Sequence, residues 1–240
     1  MFRAAAQGKA LEFDTDGIVG GNEVFKDRET GSRWQQSSLE ALSGPLKGAH
    51  LTLYPFLLTT WGEWRRRHPE TVVLKPLPGY ADRLADMNKI INQGVVGVAG
   101  PAPPGAFGRD NRLRPKDTIA GLETGGEAKA YPMSALQTAR VVNDTVGGSP
   151  VLIVHQQASD TTTAFVAEVD GKSLKFRAVD PEADKLVDLK TESVWNAYGL
   201  CIAGRLKGTQ LKALILEPEF WFAWSEFHPQ TQLYSWGERR

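Results

Sequence analysis

Two histidines, His68 and His228, each stand directly before a proline, at equivalent places in two similar stretches of the chain. Two aspartates, Asp27 and Asp188, begin matching Asp-x-x-Thr-x-Ser-x-Trp segments. A neutral imidazole can bind a divalent metal or move a proton near neutral pH, and a carboxylate can bind zinc or calcium. If the two stretches face each other across a pseudo-twofold axis, these side chains converge. One interpretation is therefore a divalent-metal site made of Asp27, His68, Asp188 and His228, with both histidines also catalytic.

The same residues also have a structural interpretation. A histidine before proline at a helix end commonly caps that end or bonds a neighbouring carbonyl or indole. An aspartate at the start of a turn accepts backbone N–H groups. The sequence alone leaves both interpretations open.

Glu226 is a third candidate for catalysis, beside Trp224 and His228. An apolar setting raises the pKa of a carboxyl group and suits it to acid–base work near neutral pH. Arg66 occupies the matching position of the first stretch, so Glu226 would have acquired its chemistry in one stretch only. The candidate catalytic residues are thus His68, His228 and Glu226.

Several other classes of function lose support. The chain contains no Gly-x-Ser-x-Gly, no phosphate-binding glycine loop, no His-Glu-x-x-His and no dinucleotide fingerprint. Its single cysteine, Cys201, excludes an internal disulfide and a cysteine-based zinc site. A formal net charge of zero without a basic block argues against nucleic acid or an anionic membrane as the main partner.

Targeting segments are not expected either. No apolar run approaches the roughly 20 residues that span a bilayer, and the first residues lack the apolar core of a signal peptide. The cellular compartment and the oligomeric state stay open.

An internal repeat is the strongest pattern in the chain. When residues 43–74 are placed against residues 203–234 without gaps, ten of the 32 positions are identical, where random pairing gives about two. The identical pairs are Gly44/Gly204, Leu46/Leu206, Lys47/Lys207, Gly48/Gly208, Leu51/Leu211, Trp61/Trp221, Trp64/Trp224, His68/His228, Pro69/Pro229 and Thr71/Thr231. Upstream, Gly-Lys-x-Leu-x-Phe occurs at residues 8–13 and 171–176. The sequence therefore predicts duplication, with one copy near residues 8–74 and another near 171–234.

Six of the seven tryptophans occupy paired positions. Tryptophan faces can stack on sugars, but side chains kept by both copies at one spacing more often hold a fold together. We therefore interpret these tryptophans as structural.

Short strands and short helices must position these residues. The patterns predict a turn at Asp27–Gly31 and a helix that starts at Trp61 behind a Thr59-Thr60 cap and ends before Pro69. Further helices are predicted over Tyr80–Gln93 and Pro132–Val142, and a Gly/Pro-rich loop over 97–108. The predicted strands are Leu11–Phe13, Leu51–Tyr54, Thr71–Leu74, Thr118–Leu122, Ala128–Tyr131 and Val151–His155.

This plan predicts a β-rich α+β fold with short helices, internally duplicated with pseudo-twofold symmetry. The first copy would cover residues 1–80, a helix and linker residues 81–108, and a second, complete copy residues 109–240. The second copy has a leading half that the first lacks, so the two could also form one intertwined domain.

The motifs that carry the repeat also carry a family resemblance. They are Asp27-Arg28-Glu29-Thr30-Gly31-Ser32-x-Trp34, Gly44-Pro45-Leu46-x-Gly48, Trp61-x-x-Trp64-x-x-x-His68-Pro69-x-Thr71, Ala130-Tyr131-Pro132 and Val142-Asn143-Asp144. Over most of its length the chain resembles a bacterial and archaeal family known as domain of unknown function 3179. The resemblance implies a fold and no activity.

The chain departs from that family in one respect. The resemblance implies a Cys-x-x-Cys motif in many relatives, shortly before the Gly-Lys-x-Leu-x-Phe segment. The corresponding residues of this chain, 155–163, contain no cysteine. A thiol-based metal or redox role that relatives would imply is therefore in doubt for this chain.

Two functions of different classes follow. The first is a binding module for a small ligand or a partner, in which the paired motifs only build the fold. The alternative is a hydrolase for a small ester, lactone or glycosidic substrate, assisted by a divalent metal. A cleft in which His68 or His228 meets a carboxylate would favour the hydrolase.

Overall fold

The computed structural model of the chain describes residues 2–19, 22–75, 79–80 and 110–235. The helix predicted over residues 80–93, apart from Tyr80, lies outside this part, as do the loop over 97–108 and the predicted linker of residues 81–108. The described residues form a β-rich fold with short helices, as predicted.

Three helices of seven residues each lie in the described part: α1 Trp61–Arg67, α2 Met133–Ala139 and α3 Trp221–Phe227. The strands are, in chain order, β1 Ala5–Ala6, β2 Lys9–Ala10, β3 Phe13–Val19, β4 Asn22–Asp27, β5 Arg33–Gln35, β6 Ala41–Ser43, β7 Thr118–Thr124, β8 Glu127–Pro132, β9 Val141–Val146, β10 Ser149–Gln156, β11 Thr161–Val166, β12 Glu168–Val169, β13 Lys172–Ser173, β14 Phe176–Ala178, β15 Lys185–Asp188, β16 Val194–Asn196, β17 Cys201–Ala203, β18 Ala213–Leu214, β19 Glu217–Phe220 and β20 Gln232–Leu233.

The predictions for individual elements had mixed outcomes. The β7–β8 hairpin, the buried strand β10, α2 and the start of α1 are confirmed, and the Thr60 hydroxyl caps α1 by accepting the N–H of Glu63 at 3.3 Å. The strands predicted over 51–54 and 71–74 are wrong, because only Leu53 makes a single bridge, to Phe2.

The first stretch folds into an antiparallel sheet of β3, β4, β5 and β6. Phe13 lies opposite Asp27, Trp34 lies opposite Ala41, and the register shifts between Arg33 and Trp34. Trp34 is fully buried in the core of this sheet, which therefore forms around one indole.

The second stretch repeats this sheet with β14, β15, β16 and β17. Phe176 lies opposite Asp188, Trp195 lies opposite Cys201, and the register again shifts just before the tryptophan. Trp195 is fully buried as well. The two stretches thus share strand order, register and bulge position.

Two further sheets contain most of the remaining strands. One has the order β19-β7-β8-β20, in which β20 runs parallel to β8, and the other has the order β18-β11-β10-β9. Apolar side chains of β7, β8, α2, β9, β10 and β11 form one core between them. Since β18 and β19 follow each other along the chain and are both edge strands, the edges of the two sheets lie next to each other there.

Helices α1 and α3 have related sequences but different surroundings. Trp221 and Trp224 of α3 are fully buried, whereas α1 has no buried residue and Trp61 is 48% exposed. A Cβ at Gly121 of β7 would come within 2.2 Å of the Trp224 ring, so this glycine lets α3 lie directly on the sheet. Burial of α3 depends on the β7–β8 hairpin, and α1 has no comparable hairpin among the described residues.

The parts predicted as separate copies touch each other through polar contacts. The Ser37 hydroxyl donates to Glu219 at 3.0 Å, and Thr161 donates to Thr59 at 2.7 Å. The boundaries predicted at residues 80 and 109 stay predictions. Of the helices described, none has the length and apolar character needed to cross a membrane.

Candidate functional site

Asp27 and Asp188 are fully buried and hold turns together. The indole N–H of Trp34 donates to Asp27 at 2.7 Å, and that of Trp195 donates to Asp188 at 3.0 Å. Each carboxylate also accepts the backbone N–H of the threonine three residues later, at 2.6 Å in both turns. Although burial raises the pKa of both aspartates, these hydrogen bonds bring it below its usual value.

The serine and glycine of each motif complete the same turn. The hydroxyl of Ser32 accepts the N–H of Leu46 at 3.0 Å, and that of Ser193 accepts the N–H of Leu206 at 3.2 Å. Gly44 has a φ of +91°, and a Cβ there would lie 2.6 Å from the Ser32 backbone, so no other residue fits. The Asp–Thr–Ser–Trp motif is thus a self-contained structural unit.

His68 and His228 both end a helix. The backbone N–H of each donates to the carbonyl of the tryptophan four residues earlier at 2.8 Å. Their rings pack on the indoles of Trp64 and Trp224, with centroid distances of 4.2 and 3.8 Å. The helix-end contacts of both histidines therefore match the structural interpretation.

His228 has an additional contact with a carboxylate. Its Nδ1 lies 2.8 Å from Oε1 of Glu123, beside a shallow cleft of about 270 Å³. The hydrogen bond from His228 lowers the pKa of Glu123, against the effect of its partial burial. A histidine does meet a carboxylate here, as the hydrolase alternative requires.

The structure does not place three of the predicted metal ligands at one site in the part of the chain that it describes. The carboxylates of Asp27 and Asp188 are engaged by their own turns, and His68 is exposed. Glu226, predicted as a catalytic residue, is exposed on α3. Within residues 2–19, 22–75, 79–80 and 110–235, no group of three or more His, Cys, Asp or Glu is placed to hold a metal ion.

A larger cavity lies elsewhere, where the edges of the two central sheets meet. Its volume is about 750 Å³, within the range of small-molecule sites. Residues 55–60 of the first stretch cover one side, and residues of β7, β11, β18 and β19 form the others. Its apolar lining includes Phe56, Leu57, Ile119, Met133, Phe165, Leu214, Leu216 and Phe220.

One corner of this cavity is polar. His155 is buried at the end of β10, and its Nδ1 lies 3.0 Å from the hydroxyl of Thr162, which lines the cavity. Its Nε2 lies 3.7 Å from Asp160, also in the lining. Burial lowers the pKa of His155 more than Asp160 raises it, so the imidazole is neutral near pH 7.

Ser159 lies in the same corner. It is only 5% exposed and lines the cavity, yet its hydroxyl finds no hydrogen-bond partner in the described part of the chain. Buried polar groups are nearly always paired, but this oxygen is closed off from solvent, so a molecule in the cavity would reach it only after neighbouring atoms moved.

Glu219 of β19 lies in another wall of the cavity. Burial raises the pKa of its carboxyl, and the hydrogen bond from Ser37 only partly offsets this. Tyr198, which also lines the cavity, donates to Glu63 at 2.7 Å, and burial with this contact raises the pKa of Tyr198 to about 12. Asp160 and Glu219 are the acidic residues in the lining, and none of its described residues is basic.

Comparison with known proteins gives the chain a family. The family described as "Protein of unknown function (DUF3179)" matches residues 1–231 of the 240. The chain belongs to this family. No curated protein and no solved structure matches this chain.

In this DUF3179 member, the sequence analysis missed most of the cavity. His155 and Asp160 fall within 155–163, the stretch in which cysteines were expected and absent. A histidine at the end of the apolar run 151–154 was the available signal for the polar corner. Glu219 gave a weaker signal, as an acidic residue just after the apolar residues 213–216.

Proposed function

We propose that this protein binds a small, largely apolar molecule in the cavity between residues 55–60 and the edges of the two central sheets. The cavity itself carries the proposal, because it combines about 750 Å³ of space and an apolar lining with a few polar groups at fixed places.

The similarity of the two stretches fits this proposal, because they can serve as its scaffold. We infer that the two stretches arose by duplication and are related by a pseudo-twofold axis. The shared register around Trp34 and Trp195 and the shared hydrogen bonds of Asp27 and Asp188 support this. On this view the residues that are identical in the two stretches build the fold. Residues without an identical counterpart, such as Ser159 and Glu219, form the binding site.

Binding can be tested with the neutral fluorescent probe N-phenyl-1-naphthylamine. We expect saturable binding at one site per chain. The Ala213→Trp variant should weaken it at least tenfold, because Ala213 lines the cavity from an exposed position on β18 and a larger side chain would fill the space.

Ala203→Trp is the matched control, since Ala203 is also an exposed alanine on a short strand but lies outside the cavity lining. Equal binding by wild type and both variants would place the probe elsewhere and refute the proposal.

A second candidate function is hydrolysis of a small ester or lactone at His228. The observation that favours it is the 2.8 Å contact between Nδ1 of His228 and Glu123 beside the small cleft. With Nδ1 donating to Glu123, Nε2 is the nitrogen that can accept a proton. It would take a proton from water, the hydroxide would attack the carbonyl carbon, and the alcohol would leave with the proton.

This candidate ranks second because the cleft of about 270 Å³ is smaller than most ligand sites. Hydrolysis of p-nitrophenyl acetate above the buffer rate, abolished by His228→Gln and by Glu123→Gln, would support it. A rate equal to buffer, or one that both variants retain, would exclude His228 as the base.

A further inference from the structure

The charged residues that line the large cavity indicate the charge of the ligand that it can bind. Two carboxyl groups, those of Asp160 and Glu219, line it, and no lysine, arginine or histidine is found among its described lining residues. The remainder is apolar or carries hydroxyl groups. Electrostatic complementarity then disfavours an anionic ligand and favours a cationic one.

The two carboxyl groups differ in surroundings. The side chain of Asp160 is 68% exposed, so water and salt screen its charge. Glu219 is partly buried on β19 and accepts a hydrogen bond from Ser37, at 3.0 and 3.3 Å to its two oxygens. A charge-assisted hydrogen bond is strongest where water is excluded, so Glu219 is the better anchor and Asp160 adds a weaker attraction.

The aromatic lining suits the same ligand class. Phe165 and Phe220 belong to the wall together with Glu219, and the face of an aromatic ring attracts a cation.

We propose that the cavity binds a primary amine carrying an apolar chain or ring, with its ammonium group on the carboxylate of Glu219. This inference rests on the proposed binding function and names its ligand class. The apolar body lies among the leucine and phenylalanine side chains of the wall. A fatty acid with the same apolar chain as the amine should bind more weakly, because its carboxylate would face the carboxylates of Glu219 and Asp160.

Competition against N-phenyl-1-naphthylamine tests the ligand class. n-Nonylamine, 1-nonanol and nonanoate have the same chain with a cationic, a neutral and an anionic head group. We expect the amine to displace the probe at a concentration at least tenfold lower than the alcohol, and nonanoate to be the weakest competitor.

Two variants show whether Glu219 is responsible. Glu219→Gln should remove most of the advantage of the amine over the alcohol while leaving displacement by the alcohol within about twofold. Glu168→Gln, which neutralises an exposed glutamate on β12 outside the cavity, is the matched control and should behave like wild type.

The pH dependence gives a second readout. An aliphatic ammonium stays charged from pH 5 to 9, whereas Glu219 takes up a proton at a higher pH than an ordinary carboxyl. Ser37, Glu217 and His228 act on Glu219, and Lys116 lies over its neighbour Phe220. The amine's advantage should therefore shrink as the pH falls in wild type and depend less on pH in Glu219→Gln.

The outcomes separate the two proposals. If the probe does not bind in the cavity, the proposed function fails. If the probe binds but amine and alcohol compete equally, or if Glu219→Gln keeps the amine's advantage, the cavity remains a binding site and the assignment to amines is wrong.

Discussion

Asp27 and Asp188 are among the most constrained residues of the molecule. Each is buried and accepts the indole N–H of the tryptophan seven positions later, while its own turn supplies further donors. A carboxylate so engaged has little capacity left for a metal ion. At the residue scale, the aspartates that the sequence offered as ligands serve the fold.

Replacement of either aspartate by asparagine should therefore destabilise the protein. We expect Asp27→Asn and Asp188→Asn each to lower the free energy of unfolding by about 2 to 3 kcal/mol, because the amide is neutral and its NH₂ group cannot accept a hydrogen bond. Urea denaturation followed by circular dichroism measures the effect.

Asp170→Asn serves as the control, since Asp170 is exposed with a φ of +50°, where asparagine is well tolerated. It should change stability by less than about 0.5 kcal/mol. If the buried variants were as stable as wild type but had lost a stoichiometric metal, the structural interpretation would fail and the metal site would return.

The carboxyl group of Glu217 should make the stability of the protein depend on pH. Burial, with the nearby charges of Glu219 and Glu123, raises the pKa of Glu217 to about 7 from an ordinary value of 4.5. The folded state therefore binds more protons than the unfolded state between these values, and this group contributes stability that is lost as the pH rises from 4.5 to about 7.

We expect Glu217→Gln to be more stable than wild type at pH 8, by roughly 2 kcal/mol, and to differ much less at pH 5. Urea denaturation at both pH values is the measurement, with Glu168→Gln as the exposed control. A variant less stable than wild type at pH 8 would show that the charged Glu217 stabilises the fold.

Residue-level prediction succeeded where contacts are local. Asp27 and Thr30 are three positions apart, so the turn pattern was enough to predict that the aspartate accepts backbone N–H groups, as it does from Thr30. Glu219 and Ser37 are 182 positions apart, and nothing in the local pattern joins them. The local hydrogen bonds of the turn were thus within reach of sequence reasoning, and the contact between Glu219 and Ser37 was not.

At the scale of elements, α1 and α3 show how one sequence motif acquires two environments. Both begin with tryptophan and end at His-Pro, and in both the second indole donates to a threonine seven positions later, at 2.9 and 2.8 Å. Only α3 lies on a sheet. The motif therefore determines the helix and its end, while burial depends on the β7–β8 hairpin.

This difference predicts unequal costs for equal substitutions. Trp224→Ala should lower the free energy of unfolding by about 3 to 5 kcal/mol, because it leaves a cavity between α3 and β7. Trp64→Ala should cost less than about 1.5 kcal/mol, because that indole is already partly in water. Circular dichroism during urea denaturation compares the two.

Trp224→Phe, a smaller change at the same site, keeps the comparison measurable if Trp224→Ala does not fold. Similar losses at both positions would mean that α1 is buried as deeply as α3.

The strand predicted over Thr71–Leu74 shows the same limit of local reasoning. Its counterpart β20 pairs with β8, whereas Val72 and Leu74 are 92% and 90% exposed without a neighbouring strand in the described part of the chain. A β-strand exists only beside another strand, so alternating or apolar residues are not sufficient.

At the scale of the whole molecule, residues of both similar stretches meet around the cavity. Residues 55–60 of the first part cover it, and the Thr59–Thr161 hydrogen bond joins residues 102 positions apart at this place. The repeat predicted similar local folds, but the space between sheet edges depends on how the whole chain packs. The cavity therefore became visible only in three dimensions.

The most direct test of ligand binding in the cavity is a crystal structure of the protein soaked with 1-bromonaphthalene, whose bromine is located by its anomalous scattering. We expect one dominant bromine peak inside the cavity, between Phe165 and Phe220, and its loss in crystals of Ala213→Trp. A dominant peak elsewhere, such as on the exposed Val72 and Leu74, with an empty cavity, would contradict the account.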